Sequence, residues 1–230
     1  MKIPTMKGIA TRLKLKLKGS PDRFLADISG VLHVGANTGQ ERKLYDRLGL
    51  QVLWIEPIPE VFAQLEANLK GLPNQRAIQS LVTDRDDGEY QFNVASNNGA
   101  SSSILELSQH KDIWPQVRFT RTISLKSTTL ASLFERERVD ATAYQALVMD
   151  TQGSELLVLK GAIALLRNFS HIKIEVPDFE SYAGCCQLAD IEAFMTLHGF
   201  TEISRRKFAS RPQGGSYFDI VFKSKAPPRQ

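Results

Sequence analysis

At 230 residues, with 42% hydrophobic and 23% charged side chains, the chain suits one globular α/β domain with a short extension. The net charge of +4 is unevenly spread: residues 1–23 carry seven cations against Asp22 alone, about +6, which leaves about −2 for the remainder. That balance excludes a phosphate-tracking basic face over the folded body, and no stretch approaches the roughly 18 apolar residues of a membrane span.

Residues 1–24 are expected to form a basic arm or helix on the domain edge, with Lys14, Lys16 and Lys18 alternating with leucines. The arm lacks the apolar run and small-residue cleavage site of a signal peptide. Its one membrane option is weak electrostatic contact with an anionic surface. Cys185 and Cys186 are adjacent and supply no disulfide framework, which fits a reducing, cytoplasmic location.

From there, apolar runs of strand length alternate with stretches of helical period. Val31–Val34 reads as a buried strand, Glu41–Leu48 as a helix, Val52–Ile55 as a strand, and Pro59–Leu69 as a helix with proline in its first turn. Arg76–Val82 and Tyr90–Ala95 read as strands flanking a hairpin-like turn at Asp86-Asp87-Gly88. A polar loop, Ser96–Ser103, precedes an extra strand at Phe119–Leu125 and a helix at Ser127–Arg138. Ala146–Met149 and Ile172–Val176 follow as strands, with helices at Ser154–Leu166 and Leu188–His198, before two closing strands, Thr201–Phe208 and Tyr217–Lys223. The pattern predicts a Rossmann-like doubly wound sheet, mostly parallel, in three αβα layers with a C-terminal antiparallel hairpin. The domain is expected over residues 25–225, with a disordered tail at 226–230.

Gly35-Ala36-Asn37-Thr38-Gly39 follows the first strand and opens the first helix, where an open α/β sheet binds ligands. Glycines there let a cofactor touch the backbone, and a helix start offers free amide donors. A dinucleotide fingerprint would need glycines at 35, 37 and 40; positions 37 and 40 are Asn37 and Gln40. With no Tyr-x-x-x-Lys set either, an NAD(P) oxidoreductase is disfavoured. Glu56, ending the second strand before Pro57, can accept both hydroxyls of a ribose, a role shared by NAD and S-adenosylmethionine (SAM) sites.

The blocks Val31–Glu41, Ile55–Pro59 with Leu65 and Asn68, Met149–Ala162 and Ile174–Val176 together resemble the FkbM-type methyltransferases. The resemblance spans roughly residues 31–222 and is carried most by the Asp-x-x-Gly-x-Glu block at Asp150–Glu155. It implies a class I methyltransferase fold, usually seven-stranded with a reversed last strand, with SAM as methyl donor and S-adenosylhomocysteine as product. It also implies O-methylation of hydroxyls on sugars, glycans or glycosylated natural products. Many relatives carry Asp where this chain has His33.

The expected cofactor residues are His33, Gly35, Ala36, Asn37, Gly39, Glu56, Pro57, Asp150 and Asp84, the last as an acceptor for the adenine amino group. Asp150, at the carboxyl end of its strand, is expected to orient the acceptor hydroxyl and take its proton, with Glu175 and Glu155 as further catalytic candidates. A divalent metal gathered by Asp150 with Glu155 or Glu175 would lower the alcohol's pKa, but no metal site is assigned. Ser101, Ser102, Gln152 and Trp114 are the expected acceptor contacts, Trp114 by stacking on a sugar ring. The partner is expected to be a small molecule or glycan and not nucleic acid. Other acceptors (protein, lipid or small-molecule nitrogen) and a non-catalytic SAM-binding scaffold are the alternatives.

Overall fold

The computed structural model describes residues 20–226; most of the basic arm and of the tail lies outside the described residues. The first half of the chain forms β1 (Gly30–Val34), α1 (Arg42–Leu48), β2 (Gln51–Glu56), α2 (Pro59–Leu69), β3 (Gln75–Gln79), β4 (Leu81–Val82), β5 (Glu89–Ala95) and β6 (Phe119–Thr128). The second half forms α3 (Leu130–Arg136), β7 (Ala146–Met149), α4 (Glu155–Gly161), β8 (His171–Pro177), α5 (Leu188–Leu197), β9 (Phe200–Ser210) and β10 (Ser216–Ser224). Seven strands make one sheet in the order β3-β2-β1-β7-β8-β10-β9, with β10 antiparallel to both its neighbours. Its other neighbouring pairs are parallel, as the doubly wound pattern predicts.

Side chains of a strand alternate between faces, so β1 feeds two cores. Val31, with Val52, Trp54 and Val148, packs under Tyr45 and Leu48 of α1 and Leu65 and Leu69 of α2. Leu32 and Val34, with Leu53, Ile55, Leu147 and Ile174, meet α3, α4 and α5 on the other face. All five residues of β1 are buried, which explains its uninterrupted apolar run. The strand order reverses between β1 and β7, and a crevice opens beyond their carboxyl ends.

The structure corrects several boundaries. Arg76–Val82 is not one strand: the Ser80 amide still donates to the Glu56 carbonyl, after which Leu81 and Val82 leave β2 and pair with Ser127 and Thr128 of β6. Nor is Asp86-Asp87-Gly88 a hairpin turn, because β5 pairs antiparallel with β6 in a separate three-stranded sheet. The Asp86 carboxylate instead accepts from the Thr129 amide and from the Thr128 and Ser132 hydroxyls, tying β6 to the start of α3. Hence the helix starts at Leu130, capped by Thr129, and not at Ser127. The helix expected over Ser154–Leu166 closes at Gly161 and continues as a 3-10 segment, Ile163–Asn168. At the other end, Pro21–Asp27 is a 3-10 turn whose Phe24 and Leu25 are buried, so residues assigned to the arm belong to the domain. Among the described residues no helix is long and apolar enough to cross a membrane.

Candidate active site

The crevice is a cavity of about 380 Å³, a size that suits a cofactor-sized ligand. Gly35, Ala36 and Asn37 line it from the loop between β1 and α1, and Glu56, Pro57 and Ile58 from the end of β2. The loop is pinned from below, with the Gly35 and Ala36 amides both donating to the Ile55 carbonyl at 3.0 Å. Gly35 has φ +77°, and a Cβ there would lie 1.9 Å from the Asp150 carbonyl oxygen. Gly35→Ala is therefore expected to lower stability by more than about 2 kcal/mol and to remove cofactor binding, measured by urea unfolding and calorimetry.

Glu56 is 4% exposed and accepts from the Asn37 amide (2.8 Å) and the Ile58 amide (3.0 Å). Burial pushes its carboxyl up to about 7, against the pull of those two amides. Each of its oxygens keeps acceptor capacity for a ribose hydroxyl. Beside it Ile58, Leu81, Val82 and Phe92 give an apolar wall suited to a purine. Donor set, size and apolar wall thus fit SAM.

The rest of the cavity is polar and acidic. Asp150, Gln152 and Ser154 border it from the β7–α4 turn, and Lys173 and Glu175 from β8. Glu175 sits opposite Asp219 of β10, which also faces the cavity. Burial first and the neighbouring Glu155 second raise the Asp150 carboxyl to about 7. Glu175 is pushed well above the carboxylate range by burial, then by Asp150 and Asp219. The two cations present are engaged: Lys173 Nζ lies 2.7 Å from Asp22 Oδ1, and Arg206 pairs with Asp219. His33 borders the cavity too, stacked on Trp54 at 4.7 Å between ring centroids, with Nδ1 3.2 Å from the Tyr45 hydroxyl. Burial, then Lys173, lowers its pKa to about 3, so it is a neutral ring under the site.

Other expected residues lie elsewhere. Glu155 does not line the cavity; its carboxylate accepts from the Thr151 and Gly153 amides at 2.8 and 3.1 Å and from the Thr151 hydroxyl, buckling the turn that presents Asp150. Glu155→Ala would strand those buried donors and is expected to cost about 3 kcal/mol, read by urea unfolding. Asp84 is exposed beyond the cavity, whose wall here is Ser80–Val82, because β4 turns away toward β6. Gly39 shapes the loop without lining the cavity: its φ is +72° and its amide donates to the Ala36 carbonyl. Ser102 lines the cavity with its hydroxyl accepting from the Ala95 amide, whereas Ser101 lies behind it, bonded to Asn97. Trp114 packs against His110 and Tyr217 (centroids 4.7 and 5.3 Å), outside the cavity. Among the described residues no group of three or more His, Cys, Asp or Glu is arranged to hold a metal ion. Both cysteines are unbridged and buried, Cys186 Sγ lying 3.4 Å from Glu155 Oε2.

Sequence reasoning missed Glu41, Lys173 and Asp219, which line the cavity, and Tyr182, whose hydroxyl donates to Gln152 Oε1. Lys173 and Glu175 did leave a trace, as two charges at period two inside the apolar run Ile172–Val176. Asp219 and Tyr182 left none.

This sheet order, with a glycine loop and strand-end carboxylate at the switch point, defines a class I methyltransferase. Residues 33–202 match the methyltransferase FkbM domain, and the chain belongs to that family, with SAM as its methyl donor. No curated protein matches significantly. Solved structures of similar fold include a candidate tRNA methyltransferase from Streptococcus pneumoniae (12% identity, TM-score 0.50, covering 92% of this chain and 72% of that one). The METTL16 methyltransferase domain is 11% identical, TM-score 0.50, over 99% of this chain and 71% of that one. An uncharacterized protein from Listeria monocytogenes serotype 4b is 10% identical, TM-score 0.50, over 91% and 69%. At such identities the likeness is one of fold.

Proposed function

We propose that this methyltransferase transfers the methyl group to a hydroxyl of a sugar, a glycan or a glycosylated natural product. The observation that carries the reading is Asp150. It is a carboxylate at the carboxyl end of β7, poised near neutral pH, on the wall of the cavity that holds the cofactor loop. When bound, SAM supplies an electrophilic methyl carbon on a positively charged sulfur. Glu56 would hold the ribose hydroxyls, and the Gly35–Asn37 loop would border the methionine end. Asp150 would accept the acceptor's hydroxyl proton as the new oxygen–carbon bond forms and the carbon–sulfur bond breaks. A carboxylate near 7 is a better match for that proton than one near 4. Glu175 and Gln152 line the same cavity and would orient a polyhydroxylated acceptor.

The acidic wall and the net charge of about −2 on the body after residue 23 support a neutral acceptor over nucleic acid. The test is transfer of labelled methyl from SAM to a panel of free and nucleotide-linked sugars, glycosides, peptides, lipids and transfer RNA. Alkali-stable label on a sugar hydroxyl is the expected product. Label confined to RNA, peptide or an amine nitrogen would sink the reading. SAM bound tightly with no transfer to any acceptor class would favour a scaffold.

A further inference from the structure

Asp150 is not held by the backbone but by the side chain of Gln152, whose Nε2 donates to Asp150 Oδ1. The other end of that amide is held as well: the Tyr182 hydroxyl donates to Gln152 Oε1 at 2.6 Å. Gln152 is fixed at its backbone by φ +55° and by the Ser103 hydroxyl donating to its carbonyl at 2.8 Å. Tyr182 is 1% exposed, and its hydroxyl has a second acceptor, the Ser101 carbonyl at 3.2 Å. One hydroxyl proton therefore faces two acceptors. Which one it serves depends on the amide, and the amide depends on the carboxyls it faces, Asp150 by direct hydrogen bond and Glu175 beside it. An ionised carboxylate only accepts, so the amide must turn its NH2 to Asp150 and its oxygen to Tyr182. A protonated Asp150 donates, so the amide inverts, its NH2 meets the Tyr182 oxygen, and the Tyr182 proton moves to the Ser101 carbonyl.

We propose that Gln152 and Tyr182 are positioning residues forming a two-state relay, which aims the Asp150 carboxylate and reports its protonation to Ser101. Ser101 follows Gly99 and Ala100, which line the cavity, so the relay links the proton taken from the acceptor to the loop above it. The inference rests on the role given to Asp150, but its test needs no acceptor, so the two fail separately.

The charged and titratable groups around Asp150 are Glu155, Glu175, Asp219, Glu41, Tyr182 and Tyr217, with the paired cations Lys173 and Arg206 on the same cavity wall. The experiment is carbon-13 NMR titration of the full chain, following the Asp150 carboxyl (assigned with Asp150→Asn) and the Ser101 carbonyl. In the native chain both are expected to titrate with one midpoint. Asp219→Asn removes a repelling charge and should lower that midpoint for both together. Gln152→Gly keeps the left-handed backbone, deletes the amide, raises the Asp150 midpoint by about one pH unit and flattens the Ser101 response. Tyr182→Phe, which keeps the ring, should leave Asp150 titrating while Ser101 no longer follows. A Ser101 carbonyl that is flat in the native chain, or that still follows Asp150 in Tyr182→Phe, would overturn the relay.

Discussion

Replacing Glu56 by alanine is expected to weaken SAM binding by about 100-fold or more, the loss of two charge-assisted hydrogen bonds at about 1.5 kcal/mol or more each. Part of the loss comes through the loop, because the Asn37 and Ile58 amides lose their acceptor. Calorimetry of the native and variant chains with SAM and S-adenosylhomocysteine reads the effect, and the two ligands should lose equally, since both carry the ribose. The pH dependence supplies a second check. Glu56 rests near 7 in the free protein, and ribose hydroxyls donate only to advantage when it is ionised. Affinity should therefore fall as pH drops below about 7 and level off above it. The variant should show none of that component. Unchanged affinity in a folded Glu56→Ala chain would remove the carboxylate from the cofactor site.

Asp150→Asn is expected to lower methyl transfer by about 100- to 10,000-fold, the range of one general base, while SAM affinity changes by less than about threefold. The same change should stabilise the cofactor-free protein at pH 8. A carboxyl raised from 3.8 to about 7 binds its proton more tightly folded than unfolded. Its contribution is full below about 4 and is lost as pH rises through 7. Asparagine cannot ionise and escapes that loss. The buried histidines, His33, His110 and His171, have lowered values and act in the opposite sense below about 6.5. They are neutral in both states above it, so the comparison belongs at pH 7 to 8. Thermal unfolding at pH 8 should rise by a few degrees in the variant, and the difference should vanish near pH 4. A variant that turns over at the native rate would exclude Asp150 as the proton acceptor.

The sequence by itself determined the doubly wound sheet, the closing antiparallel hairpin and the cofactor loop, because each rests on local signals. A buried parallel strand must be apolar throughout, as Val31–Val34 shows, and a backbone that approaches Asp150 within 1.9 Å of a virtual Cβ must be glycine. Glu56 and Asp150 were legible for the same reason: a carboxylate ending a buried strand at the switch point has one place to go. What only the tertiary structure decided was which side chains meet across elements distant in sequence. Glu155 sits two residues past Gly153 and reads as a catalytic candidate, yet the turn folds its carboxylate inward onto two amides. Asp84 and Trp114 were drawn away by the pairing of β4 with β6 and by an aromatic cluster around Tyr217. Tyr182, 30 residues beyond Gln152, entered the site through a fold contact that carries no periodicity or motif. Hydrophobic period fixes which face of an element is buried; the long-range hydrogen bonds that complete a polar site are set only when those faces dock.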